Sequence, residues 1–520
     1  MRIVVVGAGK VGFSLCRRLV QENHDVSLIE ASEERARHVS NRLDCRVIND
    51  GGNNIRVLED ADISRADALV CVTNSDELNM IICGLAASRY PRLIKIARVR
   101  NSEYARFRRA ERRDRAAKPS AQAGQGTQVG QATQAGQATQ AGQGTPEAPD
   151  RPGVLGIDHF IHPDVEAARW VLSAVGRGAV GDVLAFPETP YELGSVAIAA
   201  GSPLDGLSLA DYRKVYTGES LVTLVERGGG AFLPSGATVL AAGDRIHIFT
   251  RGEEIEELFK LAGRGGPALR RIGIVGGSQI GALVAEGLLY PERQEEDLTE
   301  PFNIPVRGKG IFSFFKMLHP KNQYRVIIIE QDYDLCKELS ARFPEALVLN
   351  EEIADESFVA EERISDLDLI ITATGHQELN IIAAVYLKSR GVGRAIALAS
   401  GTGYGIIARQ LGVNVVVPTE QVVVDSILSR LGGAAVRGVH RIGDGGIGIY
   451  EIEVAPAAPA AEKPVTEFHL SSGGLVMLAN RGGDSFIPRG DYVFKVQDRV
   501  IIIAKHGSEK EIEKFFAVNL

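Results

Sequence analysis

Apolar β-branched runs alternating with amphipathic segments, a glycine-rich turn that recurs once, and a β-rich stretch after each recurrence predict an α/β protein. The expected architecture is two Rossmann-like parallel-sheet domains, each followed by a small α+β domain.

In chain order the first unit reads as RIVVV, a helix from Lys10, DVSLIE, a helix from Glu33, CRVI, a helix near Ile55, ALVCVT and a helix from Asp76. LIKIA, a helix near Tyr104, HFI and a helix from Pro163 follow. Strands that are apolar throughout belong to a parallel sheet covered on both faces, and right-handed crossovers make that sheet Rossmann-like.

The internal repeat fixes the domain plan. RIVVVGAGKVG returns as RIGIVGGSQIG, moving Gly7 to Gly276 at an offset of 269. SLIE at Glu30 and IIIE at Glu330 stand 300 apart, and TNSDELN (Thr73–Asn79) matches TGHQELN (Thr374–Asn380) at 301. The change places an insertion in the second copy, at about 291–323. The offset falls to 255 at Pro163 and Pro418, so the first copy carries its own surplus. That surplus holds the period-six tract GQATQAGQATQA, which offers almost nothing to bury, and about 118–152 is expected to be disordered. PSGATVLAAGDRIHIF then pairs with PRGDYVFKVQDRVIII. The expected domains are 1–175, 176–263, 270–432 and 433–520.

Composition bounds the function. With 520 residues, 45% hydrophobic, and Lys+Arg 58 against Asp+Glu 66, the chain is globular and mildly acidic, without a global attraction to nucleic acid. Its apolar runs are far shorter than the roughly 18 residues that cross a bilayer. The start MRIVVVGAGK has no secretory pattern, and five scattered cysteines form no CxxC pair, so a reduced cytoplasm is expected.

GAGKVG supplies Gly7, Gly9, Lys10, Val11 and Gly12 between a strand and a helix, the setting a dinucleotide fingerprint requires. Gly7 makes the turn, Gly9 lets a pyrophosphate approach the backbone, and Gly12 permits close helix–sheet packing; helix amides and dipole then favour phosphate. Glu30, 23 residues past Gly7, can accept from both ribose hydroxyls and disfavours a 2′-phosphate. Asp50 stands where it can reach adenine or its ribose, or is a turn residue. Thr73 and Asn74 follow the fourth strand at the switch point. Of Arg98 and Arg100 in IARVR, one reaches the phosphates and the other is a surface or interface charge. The second copy has Ser278 for the middle glycine, and Leu398 and Ser400 for the arginines, but keeps Glu330. It is a nucleoside site or a packing relic. His247 and His440 read as isolated structural residues, and His159 and His162 as packing or surface residues.

The order GAGKVG, SLIE, ND at Asp50, VTNSDELNM and IARVRNSEY, followed by a GDRI-containing β module and a repeat of the whole, resembles the TrkA family. These are cytosolic regulatory subunits of bacterial Trk-type potassium uptake systems, built from tandem RCK (KTN) domains. The resemblance covers all the chain but the insertions. It implies two RCK N-terminal and two RCK C-terminal domains, and NAD or NADH, together with ATP or ADP, as ligands. Gly7, Gly9, Gly12, Glu30, Asp50, Thr73 and Arg98 would line the first site. It also implies a homo-oligomeric ring on the inner face of the cell membrane, held there by an integral-membrane, TrkH-like potassium translocation subunit. Catalysis is not expected, because hydride transfer needs an acid or base aimed at the nicotinamide and the β modules offer none. An NAD-dependent oxidoreductase and a scaffold with a degenerate pocket are the alternatives. RFRRAERRDRAAK (Arg106–Lys118) is a solvated helix face or a partner contact. VRGKGIFSFFKMLHPK, in the second insertion, is an interfacial segment or a surface loop.

Overall fold

A computed structural model describes residues 1–101, 104, 154–291, 324–431 and 439–516, apart from 23, 180, 187–188, 229, 265–268, 354–358, 360, 443–446, 472 and 506. The tract at 118–152, the run Arg106–Lys118 and the insertion beyond Pro291 lie outside these residues.

The first sheet contains β1 (Arg2–Val6), β2 (Asp25–Ile29), β3 (Arg46–Ile48), β4 (Ala68–Cys71), β5 (Ile94–Arg98) and β6 (His159–Ile161). All neighbours are parallel in the order β3-β2-β1-β4-β5-β6. The chain's apolar runs are here because helices cover both faces. Ser32, Asn54 and Ser75 open successive helices by accepting from the amides of Arg35, Arg56 and Leu78.

An antiparallel sheet follows, with β7 (Asp182–Ala185), β8 (Tyr191–Ala197), β9 (Ser220–Arg227), β10 (Gly230–Phe232) and β11 (Arg245–Arg251) in the order β10-β9-β11-β8-β7. The second half repeats both. Parallel strands β12 (Arg271–Val275), β13 (Arg325–Glu330), β14 (Leu347–Asn350), β15 (Leu369–Thr372), β16 (Arg394–Ala399) and β17 (Val415–Pro418) run β14-β13-β12-β15-β16-β17. Antiparallel strands β18 (Val439–Ile442), β19 (Ile447–Glu453), β20 (Gly474–Arg481), β21 (Asp484–Phe486) and β22 (Arg499–Lys505) run β18-β19-β22-β20-β21. In each parallel sheet the order reverses beside the first strand, which opens a crevice at the carboxyl ends of β1 and β4, and of β12 and β15.

The halves do not pack as the sequence order suggests. Helix Pro163–Gly176 sends Ala168, Val171, Leu172 and Val175 into the core of the second parallel-sheet unit, beside Ala285 and Leu288. Helix Thr419–Leu431 returns the exchange, burying Val423, Val424, Ile427 and Leu431 against Leu15 and Leu19 of the first. Each unit's last helix completes the other's core. Where these helices cross, Glu166 pairs with Arg169 and Arg430, each at 3.4 Å. The antiparallel sheets also meet face to face, burying Leu193, Leu224 and Phe249 against Ile449, Met477, Leu478 and Ile503.

The repeated aspartate of each β module closes its own turn. Asp244 accepts from both Arg227 Nε and Nη2 (2.7 and 2.5 Å) and from Ala241 N. Asp498 does the same with Arg481 (2.8 and 2.7 Å), Lys495 N and the Tyr492 hydroxyl. Burial pushes the Asp498 carboxyl up, but Arg481, Tyr492 and Lys495 outweigh it and hold it below its ordinary range. His247 is not isolated: its Nε2 lies 2.9 Å from Glu226 Oε1, while the His440 side chain lies outside what is described.

Asp498→Ala should lower stability at neutral pH by about 1–3 kcal/mol, because it removes the buried acceptor of several part-buried donors. A depressed carboxyl stabilises above its unfolded pKa of about 3.9 and loses that stabilisation as pH falls through the lower folded value. The gap between variant and wild type in urea denaturation should therefore close below about pH 4.

Candidate nucleotide site

Gly7 follows β1 with φ at +103°, and a Cβ there would meet Thr73 N at 3.0 Å. Glycine is required to turn the chain beneath β4. A Cβ at Gly12 would stand 1.9 Å from Gly7 O, so the helix beginning at Lys10 packs on this turn only without a side chain. Gly9 is different in kind. Its φ is −63° and a Cβ would meet nothing within 4 Å, so its side faces open space. The loop therefore presents bare backbone to whatever enters the crevice, while Val11 is buried beneath it.

Glu30 anchors the loop from the second strand. Only 5% exposed, it accepts from Ala8 N through Oε2 (2.6 Å), and from Ser32 N (2.7 Å) and Arg35 Nη2 (2.9 Å) through Oε1. Burial alone would raise its pKa, but the bonds from Arg35, Ser32 and Ala8 prevail and hold the carboxyl below its usual range. An ionised carboxylate retains lone pairs for hydroxyl donors. Asn49 secures the same corner by donating to the carbonyls of Glu30 and Ala31.

Across the crevice, Asn79 holds the ends of β4 and β5 together. Its Oδ1 accepts from Thr73 N (2.9 Å) and Oγ1 (2.7 Å), and its Nδ2 donates to the carbonyls of Thr73 and Arg98. β5 ends at Arg98, so Arg98 and Arg100 do not share a strand face; the Arg100 and Asn101 amides instead donate to Asp76 Oδ2, both at 2.8 Å. Burial, and then Arg100, pull the Arg98 guanidinium below its ordinary range, opposed by Asp76 and Asp164; it remains a cation. Its Nε–H is buried without an acceptor among the described residues. An unsatisfied buried cationic donor at the carboxyl end of β5 suits a phosphate oxygen. Asn74 follows Thr73 on the same loop. Asp50 is exposed and its Oδ1 accepts from Gly51 N (2.6 Å).

The second crevice keeps the scaffold. Gly276 has φ +100°, Glu330 accepts from Gly277 N (2.6 Å), and Asn380 repeats every bond of Asn79 around Thr374. The charged residues Asp76, Arg98 and Arg100 are replaced there by Gln377, Leu398 and Ser400. The Ser278 hydroxyl donates to Ala373 O, Gln377 stands for Asp76 and accepts from Ser400 N, and the Ser400 hydroxyl lies 3.2 Å from that of Thr419. Reading the sequence alone missed Asp76, Asn79, Arg35 and Asn49. Asn79 was visible in the repeated TNSDELN and TGHQELN; the others carry no local signal.

The TrkA-N domain pattern matches residues 3–119 and again 313–419, and the TrkA-C domain pattern matches 193–263 and 449–517. The chain belongs to the TrkA family. This TrkA-family chain is 24% identical to the Trk system potassium uptake protein TrkA of Azorhizobium caulinodans over 100% of its own length and 99% of that relative. It is 28% identical to a TrkA homolog of Archaeoglobus fulgidus over 99% and 100%. Among solved structures it resembles the GsuK channel bound to NAD, at 16% identity and a TM-score of 0.50, over 99% of this chain and 79% of that one, which is a likeness of fold. No helix among the described residues is long and apolar enough to cross a membrane.

Gly9→Ala should leave the melting temperature within about 1 °C of wild type, because open space receives the methyl. Gly12→Ala should destabilise by about 1–3 kcal/mol, because the backbone it would strike must move. Thermal melts of the two variants test the contrast.

Proposed function

We propose that this TrkA-family chain is a non-catalytic, nucleotide-responsive regulatory subunit of a membrane potassium uptake system. The observation that carries the ligand reading is the presence, at the carboxyl ends of one sheet, of the buried Glu30 carboxylate and of the half-buried Arg98, whose Nε is buried without an acceptor among the described residues. A carboxylate suits ribose hydroxyls and a guanidinium suits phosphate, with the Gly7–Gly12 loop between them. NAD or NADH is the proposed ligand, with ATP and ADP as competitors for the same phosphate contacts; Glu30 disfavours NADPH. Thr73, Asn74, Lys10 and Val11 belong to the walls of this site. Glu330 gives the second crevice at most a nucleoside contact. The modules are taken as 1–175, 176–263, 270–432 and 433–520.

The partner is an integral-membrane potassium translocation subunit, on whose cytoplasmic side copies of this chain form a ring. Support for association between copies lies on the outer helices. Ile382, 66% exposed, stands with Leu379, Ile406, Ile407 and Leu411 on the second half, and Ile81 with Leu85 on the first. Such apolar faces suit contact with another copy.

Thermal-shift titration tests the ligand reading. NADH and ATP should each raise the melting temperature and NADPH should not, because selective binding stabilises by mass action. Arg98→Ala should weaken ATP stabilisation by tenfold or more in ligand concentration. Absence of a shift with every nucleotide would leave a scaffold. For assembly, Ile382→Asp with Ile407→Asp should reduce the particle mass measured by light scattering while the melting temperature changes little.

A further inference from the structure

Lys10, the first residue of the helix on the glycine loop, is bonded to the other half of the chain. Its ammonium lies 3.5 Å from Glu420 Oε1, and Glu420 sits in the first turn of helix Thr419–Leu431, the helix the second half lends to the first core. Lys10 is 74% exposed and Glu420 22%. The carboxylate is thus the more fixed partner and the ammonium the one free to turn. Below them the same two helices are bound by Val423, Val424 and Ile427 against Leu15 and Leu19, so Glu420 is held beside Lys10 by core packing.

The contact has no counterpart at the second crevice. The repeat aligns Lys10 with Gln279 and Glu420 with Val165, so that pairing is neutral. Of the two crevices, the one that keeps Gly9, Asp76, Arg98 and Arg100 is therefore the one where this Lys10–Glu420 ion pair joins the halves.

We propose that Glu420, a residue of the second half, is a specificity-determining residue of the first half's nucleotide site, acting through Lys10. This rests on the nucleotide reading above. Glu420 occupies the exposed Lys10 ammonium beside the glycine loop. Lys10 can serve a ligand phosphate only by leaving Glu420, and in doing so it releases a tie between the halves. Phosphate charge is disfavoured by Glu420 and a bare nucleoside is not. Charge in the crevice and contact between the halves are then linked, each weakening the other.

The test is calorimetric titration of the full chain with ADP and with adenosine, for wild type, Glu420→Gln, Lys10→Met and the double variant. Glu420→Gln should bind ADP about two- to fivefold more tightly, the range an exposed ion pair commands, and adenosine unchanged. In the Lys10→Met background the same substitution should change ADP affinity by less than about twofold. Hydrogen exchange gives a second readout: ADP should raise the exchange rate of amides at the start of helix Thr419–Leu431 in wild type and leave it unchanged in Glu420→Gln. Wild-type binding of ADP with equal affinity in Glu420→Gln and no change in exchange would overturn the proposal while sparing the nucleotide site. Failure of wild type to bind ADP or adenosine would overturn the nucleotide reading and this inference with it.

Discussion

The exchange of last helices is the constraint on which the remaining architecture rests. Helix Pro163–Gly176 buries its apolar face in the second unit and helix Thr419–Leu431 in the first, so neither parallel-sheet core is complete without the other half. Burial of several aliphatic side chains on each side, at about 1.5–3 kcal/mol apiece, makes separation of the halves costly. The face-to-face contact of the antiparallel sheets adds a second apolar seam. The Glu166, Arg169 and Arg430 cluster sits at the crossing itself, where ion pairs of limited net strength set geometry more than stability.

Upon that symmetric frame the two crevices differ by charge rather than by shape. The turn glycines, the buried glutamate and the asparagine bridge recur in both. The groups that distinguish them, Asp76 against Gln377, Arg98 against Leu398, Arg100 against Ser400 and Asp164 against Thr419, all change from ionic to neutral. Hydrogen bonding is maintained in the second copy through Gln377, Ser400 and Thr419, which keeps the backbone in place without an electric field suited to an anion.

Much of this was legible in the sequence because the signals are local or periodic. Apolar strands such as RIVVV, the GAGKVG turn and the fixed offsets between copies pointed to parallel sheets and pseudo-symmetry. The helix exchange was not legible: an amphipathic helix following HFI reports that it has an apolar face, not which sheet receives it. Within the crevice, Gly7, Gly12 and Glu30 announce themselves by motif and spacing. Arg35 and Asn49 do not, since their contacts depend on how β2 and β3 meet. The pairing of His247 with Glu226 escaped for the same reason, because it spans neighbouring strands whose register is a tertiary property.

A single half of this chain would leave its last helix with an apolar face in water until it met a second copy, and its folding would depend on concentration. Joining two halves in one polypeptide makes that encounter intramolecular, at an effective concentration no cell needs to supply. Fusion also ends the rule that both partners must be identical. A substitution such as Gly to Ser at position 278 or Arg to Leu at 398 in a true homodimer would disable both crevices at once; here it alters one and leaves its twin intact.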